Sequence, residues 1–150
     1  MTLRWLLASL HLLGLGIGLG AVWARGRALN GELDRGGLKR VFVADTWWGV
    51  AAALWIVTGL TRAFGGFEKG TAYYLDNRAF LIKMALFLLI LVLEIRPMVT
   101  LIRWRARVSR GEVPTSLRAA QAMARISYGE AVLVALMVLA ATAMARGLGG

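Results

Sequence analysis

Four long apolar stretches, at residues 3–24, 44–62, 79–102 and 126–145, alternate with segments crowded with charge. Each is close to the ~20 residues that carry a helix across ~30 Å of hydrocarbon, at about 1.5 Å per residue. Short connections between four such spans predict an all-α fold, an up-down-up-down antiparallel bundle of transmembrane helices. Spans and loops use up the 150 residues, so residues 1–150 read as a single transmembrane domain. The 59% content of hydrophobic residues and mean hydropathy of +0.65 lie far above those of a soluble domain. The first stretch is too long for the apolar core of a secretory signal. It carries only Arg4 ahead of that core and offers no small-x-small site before Arg25, so it reads as a retained span.

The net charge of +10 invites a nucleic-acid reading until its placement is considered. Arg25, Arg27, Arg35, Lys39 and Arg40 fall between spans one and two, and Arg103, Arg105, Arg107, Arg110, Arg118 and Arg125 between spans three and four. The amino end, the other connection and the tail hold only Arg4, Arg62, Lys69, Arg78 and Arg146. The positive-inside rule puts the two basic loops in the cytoplasm and both termini outside. Topology thus accounts for the charge, with anionic lipid rather than nucleic acid as the contact. With no cysteine in the chain, disulfides, thiolate metal sites and cysteine nucleophiles are excluded.

In the loops, Asn30-Gly31 and Gly36-Gly37 break the first connection, while Leu33, Leu38 and Val41 suggest a short amphipathic piece along the headgroups. Gly111 and Pro114 stop the third span's helix, and Thr115 or Ser116 caps the next. Span four is expected to begin as a basic stem with Arg118 and Arg125 on its wet side. Tyr73 and Tyr74, in the remaining connection, suit aromatic-belt anchors or a lid over an outward-facing site.

Helical spacing selects the inward faces. His11, Gly14, Gly18 and Arg25 form one stripe of span one, and Gly14/Gly18 and Gly16/Gly20 are small-xxx-small pairs. Close helix packing, a homodimer through this glycine-rich span, or a groove smooth enough for a flat ring all fit that stripe. Asp45, Trp48, Ala52, Trp55, Gly59 and Arg62 share a face of span two, where the indoles either stack on a planar cofactor or serve as core and interface anchors. On span three, Lys83 and Glu94 are three turns apart. Glu94 should face the bundle, because a lipid-facing carboxylate costs on the order of 2.5 kcal/mol or more. Lys83 either joins it or snorkels outward. Pro97 favours a kink. Glu94 with Asp45 or Glu130 then makes an inner polar cluster, met by Arg96.

His11 is the one histidine, and it lies with Lys83 in the same outer half of the bundle. A haem b needs axial ligands, a flat apolar slot, aromatic walls and cations for its propionates. The residues matching that list are His11 as metal ligand, Gly14, Gly18, Trp48 and Trp55 as slot and walls, and Lys83, Arg62 and Lys69 as cations. A sixth ligand would be Lys83, a methionine such as Met84 or Met137, or a second His11 across a dimer. A buried histidine hydrogen-bonded to a neighbouring helix explains His11 equally well.

The segments Trp5 to Leu13, Ala44 to Gly49, Glu68 to Tyr74, and Lys83-Met84 through Glu94, Pro97-Met98 and Trp104-Arg105 resemble an uncharacterised bacterial family of four-span membrane proteins. That resemblance implies the bacterial cytoplasmic (inner) membrane and a fold, without an activity. More faintly, His11, Arg25 at the far end of its span, and Lys83 at the start of a leucine-rich span resemble HemJ-type protoporphyrinogen oxidases and copper-resistance D-type proteins. This second resemblance implies haem binding through His11 and Lys83. Its tryptophan-glycine step soon after the histidine is missing here, since Trp23 and Gly26 come later.

Three functions follow as expectations. The first is a haem-binding bundle for electron transfer or for porphyrin or quinone redox chemistry, a membrane oxidoreductase if it is an enzyme. The second is a small cofactor-free transporter with a relay of Asp45, Glu94 and Lys83. The third is an accessory subunit whose buried charges only pair.

Overall fold

The computed structural model describes residues 2–65, 77–114 and 116–147. Within them lie four helices: α1 (Thr2–Leu29), α2 (Arg35–Phe64), α3 (Arg78–Ser109) and α4 (Leu117–Ala145). Each is long and apolar enough to cross a membrane, and they pack antiparallel, giving a multi-pass membrane protein. The expectations attached to Lys69, Tyr73, Tyr74 and Thr115 lie outside the described residues.

Local chemistry sets the helix ends. Asp34 caps α2 by accepting from the Gly37 amide at 2.7 Å, Asn77 caps α3 by accepting from Phe80, and Ser116 caps α4 by accepting from Ala119. Gly37 has no room for a Cβ, because the Glu32 carbonyl occupies that place. At the end of α3, Gly111 takes φ +82°, a turn that a residue with a Cβ rarely adopts. The helix itself runs through the buried Pro97.

In the bundle α1 packs on both α2 and α4, and α4 on α3. Side chains close the fourth seam: Trp55 meets Phe87 edge-on at 5.6 Å, and Arg105 of α3 reaches α2. The helices outrun the bilayer. The 32 residues of α3 extend ~48 Å against ~30 Å of hydrocarbon. Arg118 and Arg125 are exposed at the end bearing the α1–α2 and α3–α4 connections, the basic end.

That length corrects the reading of Leu33, Leu38 and Val41. Rather than lying along headgroups, Leu38 and Val41 are fully buried in α2, packed with Leu29, Leu101, Trp104 and Met123, and Leu33 rests against the same cluster. A second apolar cluster, of Ala21, Val22, Trp48, Ile90, Val134 and Met137, fills the middle of the bundle.

Candidate functional site

Between those two apolar layers lies one charged layer, centred on Arg25. The stripe that carries His11, Gly14 and Gly18 inward carries Arg25 inward as well, and all four are buried. A guanidinium has five N–H donors in a fixed fork. Arg25 uses all five: Nε donates to Ser127 at 3.0 Å, Nη1 to Asp45 at 2.9 Å and Glu94 at 2.8 Å, and Nη2 to Glu94 at 2.7 Å and Glu130 at 2.8 Å. Glu94 is thus held in bidentate fashion, the strongest form of this pairing. The Ser127 hydroxyl passes its own proton to the Met123 carbonyl, and the guanidinium lies 6.0 Å from the Trp48 ring centroid. Each of the three carboxylates comes from a different helix, so Arg25 joins α1 to all the others.

Asp45 is held from both sides, by Arg25 on one oxygen and by Arg105 on the other at 3.0 Å. Arg105 also donates to the Phe42 carbonyl at 2.9 Å and stacks over the Phe42 ring. Arg25 and Glu130 are fully buried, whereas Asp45 and Glu94 keep 19% of their side-chain surface. One Glu130 oxygen accepts from Arg25; the other, Oε1, is buried without a hydrogen-bond partner among the described residues.

The structure therefore brings Asp45, Glu94 and Glu130 together, around a different cation from the one expected. Arg96 is exposed on the far face of α3, beside Val92, Ile95 and Arg103. Residues i and i+2 of a helix do not share a face, so a Glu94 aimed inward turns Arg96 outward. Sequence gives Ser127 no role, and places Arg105 among the loop cations and in the Trp104-Arg105 segment without assigning it to the cluster. Arg105 looked like one more loop cation, although its place three turns after Glu94 on the same helix face was a usable signal.

Toward the other end, where α1 begins and α4 finishes, His11 packs against α2. Its Nδ1 lies 3.0 Å from Thr58 Oγ1, and its ring stacks on Trp55 with centroids 5.6 Å apart. Thr58 Oγ1 is also 2.7 Å from the Leu54 carbonyl, an acceptor only, so the hydroxyl proton goes there. Thr58 must then accept from His11. The Nδ1–H therefore faces Thr58. Gly59 makes the space, since a Cβ there would sit 3.2 Å from His11 Cε1. Lys83, five residues into α3, and Arg62, in the last turns of α2, are half-buried toward the same end. Of the two methionines named with them, Met84 is half-buried and Met137 belongs to the central apolar cluster.

The residues expected to form a flat slot do meet, but they pack on one another. A Cβ on Gly14 would touch the Ala51 carbonyl and Leu54, and one on Gly18 would lie 3.3 Å from Trp48. What remains is a cavity of about 50 Å³, lined by Gly14, Gly18, Trp48, Trp55, Phe87 and Glu94 among others. Small-molecule sites need roughly 300 Å³ or more, so a porphyrin does not fit there. Water does, because ~10–15 Å³ holds one molecule. Glu94 borders the space, as does Trp55, whose buried Nε1–H has no partner among the described residues. Among the described residues no group of three or more histidine, aspartate and glutamate side chains is spaced to hold a metal ion.

Comparison with known proteins adds one finding. A family model described as "Predicted membrane protein (DUF2214)" matches residues 3–149. No curated protein and no solved structure matches the chain.

Proposed function

We propose that this chain, which belongs to the DUF2214 family of predicted membrane proteins, binds and releases a proton at the Arg25 cluster and works as a small proton-linked carrier. The observation that carries this reading is the orphan Glu130 Oε1, fully buried inside a charged layer. Arg25 and Arg105 bring two positive charges to Asp45, Glu94 and Glu130, leaving one carboxylate in excess in a medium that penalises net charge. One proton on Oε1 removes the excess while Oε2 goes on accepting from Arg25. Glu94 is the exchange point: it shares the Arg25 nitrogen with Glu130 and borders the small cavity that leads toward Trp55. Asp45, clamped by Arg105, holds the guanidinium in place. In this reading the basic end is cytoplasmic, as the distribution of arginine and lysine requires.

The experiment is proton flux into liposomes reconstituted with the purified protein, under an imposed pH gradient and read by an internal dye. Wild-type protein should carry protons, and Glu130→Gln, which keeps the shape of the site, should reduce the flux at least about ten-fold, as loss of the proton-bearing group demands. Equal flux in both, or none in the wild type, would contradict the reading. The haem alternative rests on His11, the one histidine, and is opposed by the closed glycine slot. A Soret band in protein expressed with ample haem, lost in His11→Ala, would put redox chemistry in place of proton carriage.

A further inference from the structure

On the outside of the α1–α2 pair an open groove of about 1010 Å³ runs lengthwise from Gly16 to the α1–α2 connection. Its upper part is apolar: Gly16, Gly20 and Ala24 form the floor, and Ile17, Val43 and Trp47 the walls. Gly16 and Gly20 face open space here, with no atom within 4 Å of where a Cβ would be, in contrast to Gly14 and Gly18. At the basic end, the only charged residues lining the groove are three exposed cations, Arg27, Lys39 and Arg40. None of the three makes an ion pair among the described residues. Of the two acids in the connection, Asp34 is committed to its N-cap and Glu32 is exposed, and neither lines the groove.

We infer that this groove is a binding site for an anionic phospholipid of the leaflet facing the basic end. The phosphate would lie among Arg27, Lys39 and Arg40, with one acyl chain along Gly20 and Gly16. Length agrees with this occupant: Gly16 to Arg27 covers ~16 Å of helix, and half of a ~30 Å hydrocarbon layer is ~15 Å. Charge agrees as well, since basic residues at headgroup depth attract anionic lipid. The same charge argues against a second copy of the chain. A two-fold contact through Gly16 and Gly20 would set three cations against the partner's three.

The test is native mass spectrometry of the detergent-purified chain with added phosphatidylglycerol or phosphatidylcholine. Phosphatidylglycerol should be retained preferentially, and each cation removed in Arg27→Gln, Lys39→Gln and Arg40→Gln should lower that retention roughly five-fold. Gly20→Leu, which fills the trough and leaves the cations, should lower retention of the same lipid. Equal retention of the two lipids, or retention unchanged in the triple variant, would overturn the inference. So would a stable dimer that Gly20→Leu dissociates, because it would give the groove to a second copy.

Discussion

Arg25 and His11 stand fourteen residues apart on the buried stripe of α1, in unlike surroundings. The histidine meets Thr58, Trp55 and Gly59 of α2. The arginine gathers one carboxylate from each of the other three helices and donates through all five of its N–H groups. Apolar residues seal it above and below. A pair between adjacent helices can be lost while the bundle keeps its other seams. A hub that joins four helices inside a low-dielectric layer cannot, because its removal strips Glu94 of its bidentate partner and leaves a buried charge uncompensated.

The sharpest way to break this contrast is at the hub. Arg25→Leu should cost about 3–5 kcal/mol, the range for stripping one partner from a buried ion pair. In detergent it should unfold at lower SDS or temperature, or fail to accumulate. Adding Glu94→Gln and Glu130→Gln to that variant should recover much of the loss, since no uncompensated charge is left buried. Arg25→Lys keeps the charge and loses the planar fork, so it should fall between the two.

At the histidine the effects should be smaller. Thr58→Val removes the acceptor of His11 Nδ1–H and should cost about 1–3 kcal/mol in the same unfolding assay, while Thr58→Ser should stay near wild type. Nitrogen NMR of the imidazole should report proton on Nδ1 in the wild type and a changed tautomer balance in Thr58→Val. The smallest expected effect belongs to Gly59→Ala. Its new methyl meets His11 Cε1 at 3.2 Å, so the ring must shift by a few tenths of an ångström, and alanine's gain of about 1 kcal/mol over glycine within a helix offsets that strain, leaving a net change of about 1 kcal/mol or less.

Sequence made the apolar half of this architecture legible. Span length fixed the four helices, and helical spacing put His11, Gly14, Gly18 and Arg25 on one buried line and turned Glu94 inward. The charged half was harder to read, because a lone sequence reports which residues share a helix face and not which faces meet. Arg25, counted by the positive-inside rule as a loop cation, lies inside because α2, α3 and α4 surround it with their carboxylates. Proximity in sequence made Arg96 look like the partner of Glu94, although helix geometry forbids that pairing. The glycines illustrate the same limit. Two overlapping small-xxx-small pairs look identical in sequence, and only the fold decides that Gly14 and Gly18 pack on α2 while Gly16 and Gly20 face outward.

The central claim is that a carboxyl group at Arg25 holds a proton inside the bundle. Infrared difference spectroscopy of the reconstituted protein during a pH titration tests it most directly, through the carbonyl stretch of a protonated carboxylic acid. A single such band that titrates in the wild type and vanishes in Glu130→Gln is the expected result. Absence of any protonated-acid band across the titration, or a band unchanged by that substitution, would contradict it.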